Sequence, residues 1–337
     1  MLQNPIKPLR HVIITGGAGF IGSQLSDRLI KGKTRVTILT RNPSAPRAAA
    51  LAQQGCKVVA CDLTDEQRIP RPDSLDPADA LFHFAADVSV SSPTLRAANV
   101  GGTSRALALA DALAIPYVVY ASSIEAQGLG SDHEIPLREE MPCRPVSDYG
   151  QSKVQAEELV SKWGSLPGHR ALVLRIGNIY GPGSAWFLHP SLLALLGATP
   201  IRAIWAKLRH RLFQPLFIDD LVEGISRAVD RRLAGTYNMT GEEQVTIEGY
   251  LATLASLTQL TDRVQLMRTP VELSGRSHSI APDFAYVLMG TQERCHRSYD
   301  NSRLRAEIGP YTRWSLSRGL AATLKCYDTS GQLPALL

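Results

Sequence analysis

"HVIITGGAGFIG", residues 11–22, decides the fold. His11 to Thr15 form a short, mostly apolar run that stops at glycines. The pattern Gly17-x-Gly19-x-x-Gly22 follows, with Gly16 beside it. "FIGSQLSDRLIKG" then sets Phe20, Ile21, Leu25, Leu29 and Ile30 on one side of a helix. A strand that turns through glycines into a helix lets the backbone approach a bound pyrophosphate. The unpaired N–H groups of the helix's first turn suit the same anion. Glycine spacing alone says little, and the strand before and helix after give it content. The stretch therefore predicts a dinucleotide held at Gly16, Gly19, Phe20, Ile21 and Gly22.

Further strands read outward from it: "RVTILT" (35–40), "KVVACD" (57–62), "ALFHFAA" (80–86), "YVVYASS" (117–123) and "RALVLRI" (170–176). Helical stretches lie between them, notably 94–113 and 148–163. Strands that are apolar throughout and alternate with helices imply a parallel sheet covered on both faces. The expected class is α/β, a doubly wound parallel sheet, over residues 1–180. After residue 177, Pro and Gly interrupt the pattern. The strand-like "PLFI" and the helix after it are expected to return to the first domain, over about 212–238. The rest of 181–337 reads as a smaller, mostly helical substrate lobe.

The chain has 337 residues and a formal charge of +5. Its basic residues are spread widely, so no nucleic-acid partner is expected. Cysteines at 56, 61, 143, 295 and 326 form no CxxC pair, and their number is odd. A reducing cytoplasm fits that pattern better than a disulfide framework. The eight histidines show no metal-binding spacing, and no metal is expected. The N-terminus does not read as a signal peptide, and no apolar run reaches membrane-spanning length.

A dinucleotide with a free ribose 2′-hydroxyl usually meets an acidic residue at the end of the second strand. Here that strand ends "ILTRNPSAPR", with Thr40 in the acid's place and Arg41 next; no Asp or Glu lies between Asp27 and Asp62. A guanidinium suits a 2′-phosphate, because its planar fork binds phosphate oxygens in pairs. NADP(H) is expected over NAD(H), with Arg41 as the contact and Arg47 as a second candidate.

"SDYGQSK" (147–153) sets Tyr149 four residues before Lys153. That spacing places both on one helix face, roughly 5–6 Å apart at Cβ. An ammonium so close favours the charged form of a phenol and suits a general acid/base. Together with the glycine loop, "CDLTD", "HFAA" and "YASS", in this order, the chain resembles the extended short-chain dehydrogenase/reductases, from about residue 11 to 327. The hydroxysteroid dehydrogenase and ketone-reductase branch is the expected one.

The resemblance implies a Rossmann fold and a role for each matched residue. Asp62 and Leu63 would contact the adenine, and Ala85 and Ala86 would wall the nicotinamide-side ribose. Tyr149 would be the acid/base. Lys153 would bond the ribose and lower the tyrosine's pKa. Ser123, five residues before Gly128, would hold the substrate oxygen. Asn99 would steady the sheet through its amide, and family members often pair through helices matching 94–113 and 148–163. His83, ending a buried strand, reads as a packed core residue.

Family members differ in chemistry, and the substrate lobe must discriminate. Dehydratases tend to follow the hydroxyl residue with Asp-Glu, whereas Ser123 is followed by Ile124-Glu125; Glu125 reads as a solvated or hydrogen-bonded structural carboxylate, with a catalytic role as the alternative. Sugar-nucleotide members commonly carry Arg-Asp-Phe where this chain has Gln214, Pro215 and Leu216. In "AIWAKLRHR" (203–211), Lys207, Arg209 and Arg211 would share one face of a strand and could meet an anionic substrate group. "WFLHPSLLALLGATPIRAIW" reads as an apolar substrate wall or a dimer- or membrane-facing helix. The expected activity is hydride transfer between NADP(H) and a ketone or secondary alcohol on a fairly apolar small molecule. The alternatives are a sugar-nucleotide epimerase with tightly held cofactor and a non-enzymatic cofactor-binding scaffold.

Overall fold

The computed structural model describes residues 8–89, 92–184, 188–197, 199–268 and 295–329. The first half runs β1 (His11–Thr15), α1 (Phe20–Lys31), β2 (Arg35–Thr40), α2 (Pro46–Gln53), β3 (Lys57–Ala60) and β4 (Ala80–His83). A π-helical turn (Ala97–Gly101) leads into α3 (Gly102–Ala112). Then come β5 (Tyr117–Ser123), α4 (Ile124–Gln127), β6 (Gly130–Ser131), α5 (Asp148–Gly164), β7 (Arg170–Ile176) and β8 (Asn178–Tyr180). The second half adds α6 (Leu188–Leu195), α7 (Thr199–Leu208), β9 (Leu212–Phe213), β10 (Pro215–Phe217), α8 (Ile218–Asp230), β11 (Gly235–Met239), β12 (Val245–Thr246) and α9 (Ile247–Leu257). It closes with β13 (Cys295–His296), α10 (Ser302–Ile308) and α11 (Leu316–Thr329).

Seven strands form one sheet in the order β11-β7-β5-β4-β1-β2-β3. Every pairing in it is parallel. Alternation along each strand builds two cores. Val12 and Ile14 face one side with Leu25 and Ile38, whereas Ile13 and Leu39 face the other with Val118 and Val160. All are fully or almost fully buried, which is why the strands read as unbroken apolar runs. The doubly wound fold expected from the strand–helix alternation is thus present.

The seventh strand has no counterpart in the sequence reading. Gly235–Met239 carries Tyr, Asn and Thr and lacks an apolar run, and it joins the sheet through its register with β7. The strand-like "PLF" does not enter that sheet. It pairs with β8 in a separate two-stranded ribbon, because Phe217 ends β10 and serves as N-cap of α8.

Residues 203–211 depart from expectation. The segment is mostly helix α7, so Lys207, Arg209 and Arg211 do not share the face of a strand. Lys207 is exposed, while Arg211 lies beyond the helix and is buried. Part of the apolar stretch before it, expected as a substrate wall or a dimer- or membrane-facing helix, is packed inward. Leu192, Leu195 and Trp205 are fully buried in the core that α9 completes. Trp186 and Phe187, which begin that stretch, lie outside the described residues, as does 269–294 of the lobe. Among the described residues, no helix is long and apolar enough to cross a membrane. The large apolar residues left exposed there (Val88, Val146, Leu166 and Leu196) lie outside α3 and α5.

Candidate functional site

The chain lays down β1, β2 and β3 in one direction, then returns to place β4 on the other side of β1. At that reversal the carboxyl ends of the strands part and leave a crevice. The cleft measures about 450 Å³, and its walls include the expected Gly16, Gly19, Arg41, Asp62, Leu63, Ala85 and Ala86. Phe20, Ile21 and Gly22 lie outside those walls, in the first turn of α1.

The glycines explain themselves sterically. Gly16 has φ +69°, and a Cβ there would stand 2.6 Å from the Ala85 nitrogen. A Cβ on Gly22 would stand 2.3 Å from the Gly16 carbonyl oxygen, so Gly22 seats the helix on the loop. Gly19 is the N-cap of α1 and no side chain caps the helix. The first-turn N–H groups are left for a ligand. These residues fit a dinucleotide pyrophosphate.

On the ribose side, Thr40, Arg41 and Asn42 line the cleft at the end of β2. Arg47 is turned elsewhere and donates to the Gly183 carbonyl at 2.7 Å. Asp62 accepts from the Thr64 hydroxyl at 2.7 Å and its backbone N–H at 3.0 Å. The Thr64 hydroxyl above all, with the Arg68 and Arg41 guanidiniums, holds this carboxyl below the usual range against the opposing pull of burial.

The second cluster lies where β5 ends beside α5. Ser123 is the last residue of β5 and the N-cap of α4, accepting from the Glu125 N–H at 3.2 Å. Ser147 caps α5 through the Gly150 N–H at 2.8 Å and so fixes where Tyr149 begins its turn. Gly150 lets α5 approach, since a Cβ there would stand 2.3 Å from the Glu125 carbonyl oxygen. Tyr149 thereby meets the Ser123 hydroxyl, and Lys153 lies one turn on, its Nζ 5.6 Å from the Tyr149 ring centre. Residues from a strand and a separate helix are thus gathered at one point.

The electrostatics differ from expectation. Burial first, and the Glu125 carboxylate second, raise the Tyr149 pKa; the Ser123 hydroxyl is the opposing influence. Lys153 stands one turn on from the phenol. Its ammonium donates to the Ala121 carbonyl at 2.9 Å, and its own pKa is lowered to about 8 by burial, against the pull of Glu157.

Asn99 joins the two clusters. Its amide accepts from the Asp87 N–H at 2.7 Å and donates to the Asp87 carbonyl and the Ser152 hydroxyl, each at 2.9 Å. It ties the loop after β4 to α5, a structural role. His83 bonds Thr15 at 2.7 Å and Thr103 at 2.9 Å inside the core. Burial, then the Lys153 charge, depresses it to about 3, so it stays neutral.

Two buried ion pairs beneath and beside Tyr149 escape sequence reasoning. Arg175 holds Glu157 at 2.8 Å, and Arg297 holds Glu125. Glu125, expected as a structural carboxylate, is held in a buried ion pair whose other member lies 172 positions away. No short-range signal connects them. Gln214, standing where sugar-nucleotide members commonly carry an arginine, clamps Tyr299 by accepting from its N–H at 2.7 Å and donating to its carbonyl at 3.2 Å.

Comparison with known proteins places this geometry. UDP-glucose 4-epimerase of Streptococcus mutans is 31% identical over 178 residues, covering 50% of this chain and 52% of that one. A putative UDP-glucose 4-epimerase of Methanocaldococcus jannaschii is 32% identical over 181 residues, covering 50% and 56%. The chain thus spans about half the length of these relatives. Among solved structures, a double mutant of DesIV, a dTDP-glucose 4,6-dehydratase of Streptomyces venezuelae with NAD and DAU bound, superposes with TM-score 0.76 at 22% identity, covering 97% and 99% of the two chains. UDP-glucose 4-epimerase of Thermotoga maritima with UDP-glucose gives 0.71 at 19% identity, covering 95% and 99%. At those identities the likeness is one of fold. The relatives cited are named for sugar-nucleotide epimerases, and the expected placement in the hydroxysteroid dehydrogenase and ketone-reductase branch is corrected accordingly. Residues 12–239 match the NAD dependent epimerase/dehydratase family, to which this short-chain dehydrogenase/reductase-type chain belongs.

Proposed function

We propose that this chain is a sugar-nucleotide epimerase that oxidises a secondary alcohol of the sugar ring and reduces the resulting ketone from the other face. The observation that carries this reading is the convergence of Ser123, Tyr149 and Lys153 at one point, in a chain that also holds a glycine-walled cleft and whose cited relatives are named as epimerases. The reading is preferred to hydride transfer to a free apolar ketone, since the cited relatives are named as sugar-nucleotide epimerases and Leu192, Leu195 and Trp205 of the expected apolar wall are packed in the core.

A nicotinamide cofactor held at Gly16, Gly19 and the first turn of α1 would supply reversible hydride transfer at the substrate carbon. This chain's residues manage the proton and the oxygen. Ser123 donates a hydrogen bond to the reacting oxygen. Tyr149 removes the hydroxyl proton as the carbonyl forms and returns it as the carbonyl is reduced. Lys153 holds a positive charge below that centre. Burial opposes ionisation of the phenol. Ile124 stands where dehydratases tend to carry an aspartate, and Glu125 is held by Arg297, which favours epimerisation over dehydration.

Cofactor choice is a finer part of the proposal. The DesIV structure holds NAD, while this chain sets Thr40 and Arg41 in the cleft wall with no acid at the end of β2. We assign NADP(H), bound through Arg41. Titration of the purified protein with both dinucleotides tests it: tighter NADP+ binding that is lost in Arg41→Ala supports the assignment, and equal or tighter NAD+ binding removes it.

Activity is tested by incubation with UDP- and dTDP-hexoses and separation of the products. The proposal expects an epimer to form with no net change in the reduced-nicotinamide absorbance. Stoichiometric consumption of dinucleotide would replace it with a simple alcohol–ketone oxidoreductase. Binding of dinucleotide without conversion of any sugar nucleotide would leave the scaffold reading.

A further inference from the structure

Glu125 lies two residues beyond Ser123 and is buried. Its carboxylate receives the guanidinium of Arg297, which is buried as well. The two come from distant parts of the chain. Arg297 follows β13, which pairs antiparallel with β6, and β6 follows the α4 turn that holds Glu125. The adjoining Tyr299 fastens the segment by donating its hydroxyl to the Gly128 carbonyl. A whole segment of the C-terminal third is thus pinned so that one cation meets one carboxylate beside Tyr149.

The charged and titratable groups around Tyr149 can be followed element by element. On its own helix, Lys153 lies one turn on, and Glu157 is taken by Arg175 of β7 and by the Ser122 hydroxyl. Asp148 faces solvent at the helix start. On β5, Tyr120 and Ser123 adjoin the phenol. On α4, Glu125 acts on the phenol electrostatically. From the C-terminal segment, Arg297 faces Glu125, and Arg211 acts on both. Tyr299 lies against Arg297 and Glu125. Glu125 and Glu157 are the carboxylates buried at this point, and each is closed by an arginine from another segment.

We propose that Arg297 is a positioning residue for the acid/base step: it clamps and neutralises Glu125, so that Tyr149 works beside a closed ion pair and not a bare carboxylate. The inference rests on the reading of Tyr149 as the acid/base. A bare anion close to a phenol disfavours phenolate, and an unanswered cation favours it. Loss of either partner therefore displaces Tyr149 in opposite directions, and loss of both restores it.

The experiment is a charge cycle of Arg297→Gln, Glu125→Gln and the double variant. It is read as the pH profile of kcat for sugar-nucleotide conversion and, without substrate, as tyrosinate absorbance during alkaline titration. A Tyr149→Phe counterpart of each protein isolates the Tyr149 signal. Arg297→Gln is expected to move the limb that reports Tyr149 ionisation to higher pH by about 1 unit or more. Glu125→Gln is expected to move it to lower pH, and the double variant to return it close to the parent. Equal losses of kcat with unmoved limbs would reduce the pair to a structural clasp and overturn the proposal. If Arg297→Gln alone does not fold, the limbs of Glu125→Gln and the double variant still decide it. The proposal requires the double variant to sit at higher pH than the single, and coincident limbs overturn it. Near-parental turnover in Tyr149→Phe would instead remove the acid/base reading and leave the ion pair unexplained.

Discussion

The dinucleotide cleft and the corner around Tyr149 are built by different means. The cleft is made of backbone. Gly16, Gly19 and Gly22 are nearly consecutive, and their work is to have no side chain: at Gly16 and Gly22 an added Cβ would strike Ala85 or the Gly16 carbonyl itself. The Tyr149 corner is made of side chains from β5, α4, α5, β7 and the segment after β13. It is charged, and its two buried carboxylates, Glu125 and Glu157, are each answered by an arginine from another segment. A backbone site tolerates changes around it so long as the turn survives. A site of buried charges transmits every change in one member to the others.

The largest expected effect tests whether the two regions are separable. Tyr149→Phe should lower sugar-nucleotide turnover by about 100- to 10,000-fold, the usual weight of a positioned acid/base. Dinucleotide affinity should stay within a few-fold, because the hydroxyl removed lies outside the glycine cradle. Turnover is read by product separation and affinity by fluorescence titration. A matching collapse of dinucleotide binding would show that the two regions form one site.

The contrast also explains what can be read from sequence. The cleft is legible because its determinants are local: a strand, a glycine turn and a helix within "HVIITGGAGFIG", with Asp62 and Ala85 just past the ends of neighbouring strands. Tyr149 and Lys153 are legible for the same reason, four residues apart on one helix. Their electrostatics are not, since those depend on burial and on Glu125, Glu157, Arg175 and Arg297, whose pairings join distant segments. β11 escapes notice because a polar edge strand, "GTYNM", has its register set by β7 and not by its own periodicity. Arg211 is misplaced because alternation of basic residues over so short a run does not separate strand from helix.

The ion pair below Lys153 gives the next effect. Arg175 binds Glu157 through three N–H···O contacts of 2.8–3.2 Å, with both side chains more than nine-tenths buried. Replacing one partner leaves an uncompensated buried charge, at a cost of about 3–5 kcal/mol. Glu157→Gln keeps the shape and removes the charge, so urea unfolding should show a loss of that size. A loss below about 1 kcal/mol would mean that water reaches Arg175. The corner would then not be the sealed, charge-coupled region that distinguishes it from the cleft.

The smallest effect concerns Lys153 and has a sign that follows from its burial. Its pKa in the fold is about 8, against an ordinary value of 10.5. Below about pH 8, both folded and unfolded chains carry the ammonium, and the fold bears the full cost of burying it. Between about 8 and 10.5 the folded chain has released the proton and the unfolded chain still holds it. The unfolded state then binds more protons, so the group's contribution to stability rises with pH. The relief is on the order of 3 kcal/mol, complete by about pH 10.5. Buried tyrosines act in the opposite direction, since Tyr120 and Tyr180 are disfavoured as phenolates in the fold and the unfolded chain loses their protons first as pH rises. The contribution of Tyr180 cancels when the parent is compared with Lys153→Met, whereas Tyr120, whose ring centre lies 4.9 Å from the ammonium, is affected by the change. The stability difference, parent minus variant, should therefore climb as pH rises from 8 to 10.5 and be flat below 8. A difference that stays flat throughout would mean that the Ala121 carbonyl and Glu157 fully compensate the buried ammonium, and that the corner stores no strain for ligand binding to release.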